Sequence, residues 1–206
     1  MIQEMRAAIF DLDGVIVDTA KYHYLAWKRL ANDLGFDFTE KDNERLKGVS
    51  RVRSLEILLE IGGLTLDEAT KTKIAAQKNG WYVDYISHMD ESEILPGVVD
   101  YVKSIRAKGI KTAIGSASKN TPLILARPGI ASLFDVIVDG NKVAKAKPDP
   151  EVFLRAAEEL NVPPAECVIF EDAESGRSWS PCRDESSGYW QITQPQRSRN
   201  DYSGII

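Results

Sequence analysis

Residues 7–15 read Ala-Ala-Ile-Phe-Asp-Leu-Asp-Gly-Val, and this stretch decides the fold. Ala7 to Phe10 form an unbroken apolar run that ends abruptly in Asp11, which predicts a short strand buried on both faces. Similar runs recur at Ile110 to Gly115, Val136 to Val138 and Val168 to Phe170, each beside a helical pattern. That alternation predicts an α/β protein, a doubly wound parallel sheet with crossover helices. The helix before the second run places Val98, Val102 and Ile105 on one face and stops at Gly109. A second crossover helix, begun by Asp149-Pro150, carries Val152, Phe153, Ala156, Ala157 and Leu160.

Between the first strand and Pro96 the pattern turns helical with no convincing strand, which predicts an inserted helical unit. His23, Trp27, Leu30 and Leu34 recur at helical spacing before Gly35. A longer helix begins at the capping-box pattern Thr65-Leu66-Asp67-Glu68, with Ile74, Trp81, Tyr85 and Met89 on one face. Lys78 falls on that face too, so either its stem carries the charge out to water or the charge has a task there.

Composition bounds what such a chain does. Its 206 residues, 43% hydrophobic and 28% charged, suit one domain or one domain with a small second, and exclude disorder over most of the length. Lys plus Arg number 26 against 31 Asp plus Glu, a net charge of -5, which argues against a nucleic-acid partner. No stretch nears the roughly 18 continuous apolar residues of a membrane span, and the N-terminus lacks a secretory pattern. The expectation is a cytoplasmic monomer with no membrane partner. Cys167 and Cys182 have no metal-like spacing and are too few for a disulfide scaffold.

In an open parallel sheet the ligand lies beyond the carboxyl ends of the strands, so the residues after each strand carry the chemistry. They are Asp11-Leu12-Asp13-Gly14, Ser116-Ala117-Ser118-Lys119-Asn120, Lys145-Ala146-Lys147-Pro148 and Glu171-Asp172. Four converging carboxylates repel one another unless cations intervene, and a hard ion such as Mg2+ answers that need with carboxylate, water and phosphate oxygens. Phosphate is then the natural substrate group. Phosphoryl transfer asks for positive charge around the moving group, which the metal, Lys147 and the amides after Ser116 supply. Asp11 is placed to attack phosphorus, and Asp13 to handle the proton of the incoming or leaving hydroxyl.

With those residues in place, Ile9 to Thr19 (IFDLDGVIVDT), GSASKN, KAKPDP and VIFEDA together resemble the four motifs of the haloacid dehalogenase superfamily of phosphotransferases. The insert, with His23, Trp27, Leu46 to Arg51 and Lys78-Asn79, resembles the cap of its beta-phosphoglucomutase branch. The resemblance runs from about Ala7 to Gly176 and implies a core of residues 1–17 and 95–176, a Rossmann-like sheet, carrying a helical cap of residues 18–94. It also implies Mg2+-dependent interconversion of beta-D-glucose 1-phosphate and glucose 6-phosphate through a bisphosphate. Under it Asp11 is the phosphorylated nucleophile and Asp13 the acid and base, its main-chain carbonyl also on the metal. Asp172 is the second carboxylate ligand, Glu171 lies beside the metal, and Ser116, Ala117 and Lys147, rather than Lys145, hold the moving phosphoryl group. His23 and Lys78 resemble residues of cap closure and sugar contact, and Gly48, Val49, Ser50 and Arg51 a specificity loop, with Trp27 and Ser54 in the substrate-binding set.

A mutase, unlike a hydrolase, must also grip a second phosphate remote from Asp11, and Arg51 with Ser118, Lys119 and Asn120 suits that task. A sugar-phosphate phosphatase of the same superfamily and a non-catalytic binding protein are the alternatives. From Arg177 to Ile206 the pattern departs: no Leu, Val, Ala or Lys, but six Ser and four Arg. This resembles a shifted reading frame and predicts disorder or loose coil, with loss of the family's next helix and strand leaving an unpaired edge or an uncovered apolar face.

Overall fold

The computed structural model describes residues 5–46, 49–147 and 149–171 and the backbone of 189–191. β1 (Ala7–Phe10) lies inside a sheet whose order, among the described residues, is β3-β2-β1-β4-β5. It runs parallel to β2 (Lys111–Gly115) and to β4 (Cys167–Phe170), and β2 runs parallel to β3 (Val136–Val138). Ala7 and Ile9 face one layer and Ala8 and Phe10 the other, and all four are buried, which is why the sequence shows a continuous apolar run there.

On the Ala7 and Ile9 side lies α7 (Glu151–Leu160), whose Val152, Phe153, Ala156, Ala157 and Leu160 are all buried as their spacing predicts. Fully covering a ring such as Phe153 contributes about 2–3 kcal/mol. Gly115 makes that approach possible, since a Cβ there would stand 2.7 Å from the Phe153 ring. α5 (Val98–Ala107) and α6 (Thr121–Ala126) cover the opposite face, with Val102, Ile105, Ile124 and Leu125 buried. Gly109 closes the segment after α5 at φ 81°, the left-handed conformation that ends many helices.

The insert holds α1 (Ala20–Asp33), α2 (Glu40–Glu44), α3 (Arg51–Gly62) and α4 (Glu68–Ile86). Trp27, Leu30, Phe38, Leu58 and Ile74 form a hydrophobic centre of its own. Two strands of chain join it to the sheet side by side: Leu95 N–H donates to Ile16 O at 3.0 Å and Asp18 N–H to Glu93 O at 3.0 Å. Glu93 then accepts from Lys21 Nζ and from the Tyr22 hydroxyl, each at 2.6 Å.

Three expectations change here. α4 is capped by Asp67, whose carboxylate accepts the Thr70 N–H at 2.9 Å, and not by Thr65. Its buried face is Ile74, Lys78, Tyr82 and Ile86, a strict every-fourth-residue stripe, while Trp81 and Tyr85 are only half-buried. The edge of β4 is not left bare, because β5 (Tyr189–Gln191) pairs with it antiparallel, Phe170 opposite Tyr189. The rest of the 177–206 tail, Cys182 included, lies outside the described residues. Cys167 is buried, and burial pushes its thiol up to about 12, so it stays protonated and inert. No helix of the described residues is long and apolar enough to cross a membrane.

Candidate active site

Parallel strands deliver their carboxyl ends to one edge of a sheet, so Asp11 after β1, Ser116 after β2 and Glu171 after β4 arrive together. Lys147, from the loop before α7, completes the group: its Nζ stands 2.9 Å from Asp11 Oδ1 and 2.5 Å from Glu171 Oε2, over the Phe153 ring at 4.6 Å. Asp11, Lys147 and Glu171 are each buried. Burial alone would lower the Lys147 pKa, but the charges and hydrogen bonds of Asp11 and Glu171 outweigh it and hold the ammonium above its ordinary value. A buried pair of this kind is costly to break, since removing the cation strands two carboxylates. Lys145, by contrast, is exposed and pairs with Asp149 at 3.3 Å.

Beyond β2 the chain is folded by its own side chains. Ser118 N–H donates to Ser116 Oγ at 3.1 Å, Asn120 N–H to Ser118 Oγ at 3.2 Å, and the Thr121 hydroxyl to Ser118 O at 2.8 Å. The Ser116 oxygen thus accepts from its own loop, leaving its proton to donate outward. Gly140, after β3, backs this loop so closely that a Cβ would lie 2.4 Å from Ala117 O. Lys119 is exposed, and Ala117, Ser118 and Asn120 are half-buried.

Asp13 lies past the strand, where Gly14 turns the chain at φ 80°. Its Oδ1 accepts from the Thr19 hydroxyl at the start of α1. Near it the insert presents a packed cationic cluster. Lys78, 2% exposed, sets its Nζ 3.0 Å from His23 Nδ1 and over the rings of Trp27 at 4.3 Å and Tyr82 at 4.9 Å. Its stem therefore does not carry the charge out to water. His23 stacks on Tyr82 with 4.0 Å between ring centres.

Burial and the neighbouring Arg51 push the Lys78 pKa well below its ordinary range, Asp13 opposing them. Burial first, then Lys78 and Arg51, drive His23 well down, so it is neutral and its Nδ1 accepts from Lys78. Burial and Asp13 push the Tyr82 phenol well up, and no hydrogen bond of good geometry reaches its hydroxyl among the described residues. Arg51, the first residue of α3, is half-buried and also lowered by burial. Among the described residues neither Lys78 nor Arg51 has a carboxylate ion-pair partner.

The structure thus joins Asp11, Lys147 and Glu171 in direct contact, gathers Ser116 to Asn120 in one loop, and ties His23, Trp27 and Lys78 together. Val49 and Ser50 precede α3, Ser50 Oγ accepting the Arg53 N–H at 3.3 Å, and Ser54 is buried inside that helix. Gly48 and Asp172 lie outside the described residues. Thr19, Tyr82 and Gly140 were not expected from the sequence, and only the Asp-Gly turn signal at 139–140 marks any of them in advance.

Among the described residues no group of three or more His, Cys, Asp or Glu side chains is gathered closely enough to hold a metal ion. One Glu171 oxygen accepts from the Lys147 ammonium. The oxygen-only donor set of Asp11 and Asp13, with no thiolate or imidazole, fits a hard cation such as Mg2+ that needs only one or two carboxylates.

The haloacid dehalogenase-like hydrolase family matches residues 5–176. The chain is 46% identical over 176 residues to the beta-phosphoglucomutase of Bacillus subtilis, covering 84% of this chain and 78% of that one. It is 33% identical over 207 residues to a phosphorylated carbohydrates phosphatase of Thermotoga maritima, covering 98% and 90%. The crystal structure of a beta-phosphoglucomutase from Clostridium difficile superposes with a TM-score of 0.79 at 44% identity, over 84% of this chain and 78% of that one. Strand order, the Lys147 bridge and these likenesses agree: the chain belongs to the haloacid dehalogenase-like hydrolase family.

Proposed function

We propose that this chain is a beta-phosphoglucomutase, interconverting beta-D-glucose 1-phosphate and D-glucose 6-phosphate through an aspartyl phosphate and a glucose 1,6-bisphosphate. The observation that carries this reading over simple hydrolysis is the pair of insert cations, buried Lys78 and half-buried Arg51, neither of which has a carboxylate ion-pair partner among the described residues. Desolvated positive charge is costly, and a phosphate arriving with the substrate offsets that cost. A hydrolase needs one phosphate site, at Asp11. A mutase needs a second, and the insert supplies its charge.

In this reading Asp11 attacks the phosphorus of a bisphosphate, a P–O bond to the sugar breaks, and Asp13 gives its proton to the departing sugar oxygen. In the reverse half-reaction Asp13 takes the proton from the other sugar hydroxyl as that oxygen attacks the aspartyl phosphate. The Thr19 hydroxyl orients Asp13 for both steps. Lys147 balances charge on the moving group while Glu171 holds the ammonium in place, and the Ser116 hydroxyl with the Ala117 amide binds its oxygens. Mg2+, when held by Asp11, the Asp13 main-chain carbonyl and Asp172, supplies further positive charge at the phosphoryl oxygens. His23 and Trp27 keep Lys78 positioned toward the sugar phosphate, and the insert excludes water that would hydrolyse the aspartyl phosphate.

Beta-glucose 1-phosphate with Mg2+ and a trace of bisphosphate should yield glucose 6-phosphate in a coupled assay, with the alpha anomer a poor substrate. Asp11→Asn should reduce turnover at least 1000-fold, on the order of a lost covalent nucleophile. Stoichiometric free phosphate would instead establish the second reading, a sugar-phosphate phosphatase, which the likeness to the Thermotoga maritima protein favours.

A further inference from the structure

Lys78 and Asn79 are neighbours on α4, yet they reach in different directions. Lys78 bonds within the insert, to His23 on α1. Asn79 bonds across to the sheet side: its Oδ1 accepts from Asn120 Nδ2 at 3.0 Å, a contact spanning 41 residues of sequence. Asn120 is itself the end of a relay, since its main-chain N–H bonds Ser118 Oγ and the Ser118 N–H bonds Ser116 Oγ. A continuous line of hydrogen bonds therefore runs from Ser116 beyond β2 to helix α4.

We infer that Asn79 is a positioning residue, one that fixes the Asn120 side chain, and with it the distal phosphate site, only when the insert is seated on the sheet. The inference deepens the proposed function and rests on it for the identity of the ligand. An amide presents a carbonyl oxygen and an NH2 group of similar shape, and an anion is repelled by the first and bound by the second. The Asn79 oxygen takes one Asn120 N–H, which sets the rotamer and keeps the second N–H available. Without Asn79 the Asn120 amide is free to turn, and the population competent to bind phosphate falls. The half-buried Asn79 sits mid-helix, where alanine is the better helix former, so its removal does not weaken α4 through propensity.

The test is a double-mutant cycle read by kinetics and by NMR of the full chain. Asn79→Ala should raise the KM for beta-glucose 1-phosphate about fivefold with kcat changed far less, as expected for one neutral hydrogen bond. In an Asn120→Ala background the same change should have no further effect. Additive losses, or a fall in kcat with KM unchanged, would overturn the inference. Solvent exchange of the Asn120 side-chain amide should quicken at least fivefold in Asn79→Ala, and Asn79→Asp, which keeps the acceptor oxygen, should restore slow exchange. That readout needs no turnover. A chain that makes no glucose 6-phosphate but shows the exchange effect refutes the proposed function and leaves the inter-amide bond intact, whereas unchanged exchange refutes the bond alone.

Discussion

Lys78 shows how one side chain sets stability against binding. It is 2% exposed, its pKa is driven down by burial and then by Arg51, and its only hydrogen-bond partner among the described residues is the neutral His23. The folded chain therefore binds fewer protons at this site than the unfolded chain between the depressed pKa and the ordinary lysine value near ~10.4. Unfolding takes up a proton in that window, so stability rises with pH across it, and the cost is greatest below it. Lys78→Met keeps the volume and removes the cost. The variant should be more stable than the wild type at pH 7 by about 1 kcal/mol, a rise in Tm of about 2–4 °C, and the gap should close as the pH approaches 10. Melts at several pH values check the sign, and an equal or lower Tm for the variant at pH 7 would contradict it. The same variant should bind sugar phosphate poorly, because stability is gained by deleting the charge that the ligand was to meet.

β1 was legible as a buried apolar run ending in Asp11, and β2, β3 and β4 as short apolar runs beside helical patterns, whereas β5 lies in a tail whose composition predicts loose coil. The face of α4 was misread because Trp81 and Tyr85 look like core residues, whereas Tyr82 holds the buried position between Lys78 and Ile86. Thr19 and Tyr82 act through neighbours on other elements, and hydrophobic periodicity reads one element at a time. Gly140 is the clearest instance: nothing in its own segment says that a Cβ would meet Ala117 O at 2.4 Å. The obstacle is backbone, which cannot swing aside, so the Ser116 to Asn120 loop must shift. Gly140→Ala should lower kcat/KM at least tenfold, about 1.4 kcal/mol of transition-state stabilisation, because small misplacements of positioning groups are amplified in rate. Steady-state kinetics beside a thermal melt checks this, and wild-type kinetics in a folded variant would show that the loop absorbs the contact without cost.

Charge is distributed unevenly over the fold, and the imbalance makes a demand on the solvent. Asp11, Asp13 and Glu171 lie at one edge of the sheet, where the Lys147 ammonium touches Asp11 and Glu171. The Thr19 hydroxyl donates to Asp13 Oδ1. Lys78, engaged with His23 and aromatic rings, also interacts with Asp13 electrostatically. A divalent cation that binds only the folded arrangement of these carboxylates adds to its stability. A Mg2+ concentration about 100-fold above its dissociation constant should add about 2.7 kcal/mol to the unfolding free energy. The melting temperature should climb with the logarithm of Mg2+ concentration, while the same ionic strength of a monovalent salt gives much less. Asp11→Asn should blunt the Mg2+ response and raise stability in its absence, since it removes one of the repelling charges yet keeps an oxygen that accepts from Lys147. A melt indifferent to Mg2+ in both proteins would mean that Lys147 alone balances the edge.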